Sequence, residues 1–157
     1  TLFQNIFSDA IDADFSNGTI SLSKFENIGN DAIDISGADV ILNQINILSS
    51  GDKAISVGEK SNLKINNIKI ANAFIGVASK DLSSTYIKGL KVENVKYCLA
   101  AYQKKTEYGP GSIKLKDETS KCLNNNILES GSSIEIEGNS LLPNINKAYE
   151  KLYLNSN

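Results

Sequence analysis

Short stretches in which apolar and polar residues alternate recur along this chain, and each is closed by Asn, Gly, Ser or Asp. Thr19-Ile20-Ser21-Leu22, Val40-Ile41-Leu42, Leu63-Lys64-Ile65 and Tyr86-Ile87-Lys88 are examples. A period of two puts alternate side chains on opposite faces, so these segments predict short strands joined by tight turns. Helical spacing emerges only near the end, at Ile145, Ala148, Tyr149, Leu152 and Tyr153. Asn144 stands where a helix N-cap is expected.

The strand-like segments repeat. Ser8-Asp9-Ala10-Ile11-Asp12 is echoed by Asn30-Asp31-Ala32-Ile33-Asp34 and by Asp52-Lys53-Ala54-Ile55-Ser56, with the isoleucines 22 residues apart twice. Ile75, Leu99 and Leu123 continue the series after 20, 24 and 24 residues. A second column, Phe3, Phe25, Ile47, Ile70 and Val92, has spacings of 22, 22, 23 and 22. Two residues after each member comes Asn5, Asn27, Ser49, Asn72 or Asn94. A period of 20 to 24 residues holding only short strands predicts an all-β chain, a parallel β-solenoid (β-helix) of about six coils. A leucine-rich repeat would need a fixed leucine frame and a helical return, which these columns lack.

Successive coils would stack at about 4.8 Å, so six rungs span roughly 29 Å and equivalent residues form ladders. The expected inward ladder is Ile11, Ile33, Ile55, Ile75, Leu99 and Leu123, accompanied by Ala13, Ile35, Val57, Val77 and Ala101. The Asn column is expected at left-handed turns, its amides bonding along the stack. The predicted units are 1–141 as β-helix and 142–157 as a C-terminal capping helix and tail that covers the last coil.

Composition narrows the chemistry. All 16 positive charges are lysines against 18 acids, and His, Arg, Trp and Met are absent. No histidine base, imidazole ligand or arginine clamp can arise, which removes zinc hydrolases and Ser-His-Asp hydrolases. A net charge of −2 argues against general attraction to nucleic acid. No apolar run approaches the length of a membrane span, so membrane insertion is not expected. The chain opens at Thr1 directly in the repeat, which suggests additional N-terminal coils or a preceding domain in a parent protein. Only five threonines occur and none forms a ladder, which disfavours an ice-binding solenoid.

The Phe-x-Asn and Asp-Ala-Ile-Asp columns and the segment Gly51-Asp52-Lys53-Ala54-Ile55-Ser56-Val57-Gly58 resemble the right-handed parallel β-helix repeats of the pectin-lyase-like superfamily, over residues 3 to 137. The resemblance implies a right-handed coil and a secreted, cell-surface or periplasmic polysaccharide-associated protein. It places the chain beside polysaccharide lyases and C5-epimerases, whose Arg- or His-dependent sites this sequence cannot complete. The expectation is therefore a non-catalytic or incomplete glycan-associated β-helix, the C-terminal part of a larger lyase or epimerase being one form of it. A purely structural stalk, spacer or fibre segment is the alternative. Any reaction would be that of a lyase, epimerase or glycosidase, and no catalytic residue is assigned.

The candidate ligand surface combines Asp12, Asp34 and Ser56 on an outward strip of small and acidic residues with Tyr102, Lys104, Lys105 and Tyr108 on the excursion that follows. Stacked Asp12 and Asp34 would repel. Lys53 from the adjoining coil, a calcium ion held by both carboxylates, or a raised carboxyl pKa would each answer that cost. No other cofactor is implied. Cys98 and Cys122 each precede an anchor leucine, so stacking makes them a disulfide candidate in an oxidising compartment and a thiol pair in a reducing one.

Overall fold

The computed structural model describes residues 1–118 and 124–154. Its strands are β1 (Leu2–Ile6), β2 (Ile11–Asp14), β3 (Gly18–Ile28), β4 (Ile33–Ser36), β5 (Asp39–Ile47), β6 (Lys53–Gly58), β7 (Asn62–Lys80), β8 (Ser84–Tyr102), β9 (Ser112–Glu118), β10 (Asn126–Leu128), β11 (Ser133–Ile136) and β12 (Asn139–Ser140). They form a parallel β-solenoid of about six coils. One ladder runs β1-β3-β5-β7-β8-β9-β11; a second climbs from β2 through β4 and β6 to the ends of β7 and β8, and then to β10. Among the described residues, only the terminal pair of β11 with β12 is antiparallel.

The Phe column is continuous, with Phe3, Phe25, Ile47, Ile70 and Val92 each paired with the next. The rings of Phe3 and Phe25 stack at 4.8 Å. Asn5, Asn27, Asn72 and Asn94 hold φ between 50° and 57°, a left-handed geometry that Asn tolerates better than other side-chain-bearing residues. Asn27 Nδ2 donates to Asn5 Oδ1 at 2.7 Å, and Asn94 Nδ2 to Asn72 Oδ1 at 2.6 Å. Coils approach so closely at Gly51 that a Cβ there would lie 2.1 Å from the Gly29 carbonyl oxygen.

The inward ladder differs from expectation at one rung. Ile11, Ile33 and Ile55 pair in series, but the next member is Val77, followed by Leu99. Ile75 pairs instead with Lys53 and Tyr97. The cause is the continuity of β7: it runs on through the left-handed Asn72 without the non-strand residues that separate β3 from β4 and β5 from β6, and the anchor falls at 22-residue spacing throughout. Ile75 is fully buried all the same, because Tyr102, Ala148 and Leu152 cluster with it outside the solenoid interior. Leu123 lies outside the described residues.

The chain ends in a short helical piece, as expected, but not with the expected N-cap. Asn144 bonds the last rung as a ladder residue, accepting from Leu128 N at 3.0 Å and donating to Asn126 O at 2.8 Å, and is not an N-cap. The regular helical piece is a short π-helical turn, Glu150–Leu154. Ala148 and Leu152 pack over Ala78, Ala100 and Ile127, so this segment folds back across the solenoid's flank.

Candidate functional site

The strip over which that segment folds is fixed by strand register. Asp12, Asp34, Ser56, Ala78, Ala100 and Ile127 are neighbours in successive coils, all on the outward side. At one end the strip is small and apolar, and the C-terminal segment covers it. At the other it is acidic and open. Where cover gives way to open face lies a cleft of about 280 Å³, its lining composed of Asn30, three aspartates (Asp31, Asp34, Asp52), three lysines (Lys53, Lys80, Lys104) and three tyrosines (Tyr102, Tyr149, Tyr153).

The charges are held in two groups. Asp31 Oδ1 accepts from Lys53 N at 2.9 Å, and Lys53 Nζ lies 3.4 Å from both Asp31 oxygens while contacting Asp52. Tyr153 OH donates to Asp52 Oδ1 at 3.0 Å, and Lys53 Nζ sits 5.2 Å from the Tyr153 ring centre. Burial works against the Lys53 ammonium, but Asp31 and Asp52 outweigh it and raise its pKa. Burial pushes the phenols of Tyr102 and Tyr153 upward, so both remain neutral donors at ordinary pH.

In the second group, Lys80 Nζ donates to Ser56 Oγ at 2.8 Å and stands 4.0 Å from Asp34 Oδ1. Gly58 leaves room for the Lys80 stem: a Cβ at Gly58 would meet Lys80 Cε at 3.3 Å. Burial lowers the Lys80 pKa, with Asp34 opposing. Asp34 Oδ1 is enclosed and accepts no hydrogen bond, while about a quarter of the Asp34 side chain stays exposed to the cleft. Asp12, one coil away, is exposed; its carboxyl pKa is raised by partial burial and then by Asp14, Asp34 and Asp9.

Of the expected ligand residues, Asp34, Tyr102 and Lys104 line this cleft, Ser56 sits beneath Lys80, and Asp12 adjoins Asp34. Lys105 and Tyr108 turn away: Lys105 pairs with Glu59, and the Tyr108 ring lies 5.7 Å from Lys60 Nζ. Asp81 draws the excursion into this shape, accepting from the backbone N of Lys104 and of Lys105 at 2.7 Å each. The lysine that answers Asp34 is Lys80 and not Lys53, which is committed to Asp31 and Asp52. The cleft also holds Asp31, Asp52, Lys53, Lys80, Tyr149 and Tyr153, which the repeat does not mark as ligand residues. The available signal is the 22-residue spacing itself: with Val77 as the anchor, Lys80 stands 22 residues after Gly58 and next to it in the stack.

Among the described residues no group of three or more potential metal ligands occurs. Cys98 is disulfide-bonded; Cys122 lies outside the described residues. No helix among them is long and apolar enough to cross a membrane. No family model, curated protein or solved structure matches this chain. The class that fold and site define is thus a parallel β-solenoid with a charged, tyrosine-flanked cleft on its flank.

Proposed function

We propose that the chain is a glycan-associated β-solenoid of a secreted or surface protein, and that it holds a saccharide segment in the cleft without turning it over. The observation that carries this reading is the partly exposed Asp34 carboxylate beside Lys80, in a cleft flanked by Tyr102, Tyr149 and Tyr153. A sugar hydroxyl can donate to the exposed side of that carboxylate, and ring faces and neutral phenols suit a polyhydroxyl ligand. The resemblance to pectin-lyase-like repeats supports the same reading, as does the absence of Arg and His for the non-catalytic part.

Titration calorimetry with neutral and acidic oligosaccharides tests it. Binding is expected, weakened by Tyr149→Ala and by Asp34→Asn, with no depolymerisation or epimerisation of uronate polymers. Folded protein that binds no saccharide leaves the structural reading, in which the cleft's ion pairs serve only to dock the C-terminal segment. Turnover abolished by Asp34→Asn would make the chain an enzyme.

A further inference from the structure

Phe15 is 81% exposed and holds φ at 49°, a left-handed geometry that a bulky side chain rarely adopts. It opens a corner column that Gly37, Glu59 and Asp81 continue at φ of 63°, 58° and 56°, so its ring stands at a turn and not at an uncovered core rung. The ring is held in place: Phe15 N donates to Ser36 O at 2.9 Å, and a Cβ at Gly37 would meet the ring at 2.8 Å. Strain of this kind persists only where neighbours enforce it, and it concentrates at functional positions. Asp12 and Asp14, on one face of β2, precede the ring. Both are exposed, and no lysine among the described residues lies within ion-pair distance of Asp12 or Asp14. Phe7 is exposed as well, but its neighbour Asp9 is already committed, accepting from Asn30 Nδ2 at 2.7 Å and from Asp31 N at 2.8 Å.

Elsewhere on the solenoid, β5, β7, β8 and β9 bend at the left-handed Gln44, Asn67, Gly89 and Asp117 around a hollow of about 470 Å³. Ile45, Ile68 and Leu90 line it together with Lys69 and Lys91. A cavity of about 150 Å³ holds a benzene ring, so this hollow admits a phenylalanine side chain and the backbone that carries it. Lys69 and Lys91 are exposed, with no acid among the described residues within ion-pair distance. Asp117 also lines the hollow, beside Lys116 in the chain. The charge contrast extends beyond these two places: residues 1–52 hold eight acids and one lysine, whereas residues 53–118 hold twelve lysines and six acids.

We propose that Phe15 of one copy of this chain seats in the hollow of a second copy, with Asp12 and Asp14 against Lys69 and Lys91. Burial of the ring supplies the attraction, and the charges set the orientation. Knob and hollow are different surfaces, so the contact is heterologous. Every pair leaves one Phe15 and one hollow free, and association continues past the dimer. Pairing two first coils face to face would instead set Asp12 and Asp14 against their own copies, which repel. No residue that lines the cleft takes part, so this contact stands apart from saccharide binding.

Sedimentation velocity of the whole chain is the test. At low salt the wild-type protein should grow past dimers as its concentration rises, and added salt should reverse that growth by screening the exposed charges. Phe15→Ser should remain monomeric, as should Lys69→Gln combined with Lys91→Gln, each at the wild-type melting midpoint. Mixed, these two variants should form a one-to-one dimer and nothing larger, because the first keeps its hollow and the second keeps Phe15. Asp14→Lys, which retains the ring, should weaken association, and Tyr149→Ala should assemble as the wild type does. Wild-type protein that stays monomeric, wild-type association that stops at a dimer, or a mixture of the two variants that yields no dimer would overturn the proposal.

Discussion

Lys80 Nζ stands 4.0 Å from Asp34 Oδ1 although the two residues lie two coils apart, with Ser56 of the intervening coil accepting from Lys80 on the way. The reach depends on the missing side chain of Gly58. A buried ammonium that faces one distant carboxylate is poorly compensated, whereas Lys53, shared between two carboxylates, is well compensated. The cleft therefore holds two lysines of opposite titration behaviour.

Stability should follow that opposition. The folded-state pKa of Lys80 is below 10.5, so between that depressed value and 10.5 the unfolded chain binds more protons and Lys80 makes stability rise with pH. The folded-state pKa of Lys53 is above 10.5, so its contribution is complete below 10.5 and is lost as pH rises through the folded value. Tyr102 and Tyr153, raised above 10.0, also lose stability upward from there. Urea unfolding across alkaline pH should show a rise followed by a fall. Lys80→Met should remove the rise and keep the fall; an unchanged profile in that variant would show that Lys80 is not buried in charged form.

Ile55 and Ile75 are both fully buried but belong to different clusters. Ile55→Ala should cost about 2–5 kcal/mol of global stability, as a cavity inside the solenoid does. Ile75→Ala should chiefly loosen the C-terminal segment, because its cluster contains Ala148 and Leu152. Trypsin cleavage after Lys147 and Lys151 should then accelerate more in Ile75→Ala than in Ile55→Ala. The reverse order would contradict the assignment of the two residues to separate clusters.

That pair also shows how far the sequence could be read. Stacking is a local, repeated constraint, so the Phe column, the Asn turns and the first three isoleucines declare themselves by spacing alone. Ile75 misled because an outward isoleucine looks inward to a periodicity argument; what buries it arrives from residues far along the chain. The same holds for the cleft. Asp34 and Ser56 were visible as a strip of small and acidic residues, but Tyr149 and Tyr153 join them only when the C-terminal segment folds back, and no repeat encodes that contact.

The Asn ladder separates two effects. Asn94 has φ of 52° and donates to Asn72. Asn94→Gly keeps the left-handed turn at little conformational strain and loses the amide contact, about 0.5–1 kcal/mol at this exposed position. Asn94→Ala adds a left-handed penalty of about 1–2 kcal/mol. Chemical denaturation should rank wild type above Gly and Gly above Ala. If Gly and Ala were equal, the turn geometry would contribute nothing, and the ladder would act through hydrogen bonds alone.

Calcium provides the sharpest test of how Asp12 and Asp34 coexist. The two are register neighbours, and a divalent cation between them is one answer to their repulsion, an answer that adds stability in proportion to the logarithm of its concentration once above its dissociation constant. Lys80 is another answer, and it already stands beside Asp34. If Lys80 is sufficient, millimolar calcium should barely move the wild-type melting midpoint. Lys80→Met leaves Asp34 without its ammonium, and there calcium should raise the midpoint, an effect that Asp34→Asn in the same background removes. A clear rise in the wild-type protein that is lost in Asp34→Asn would instead make the cation the native partner of this acid pair and reduce Lys80 to a neighbour of Ser56.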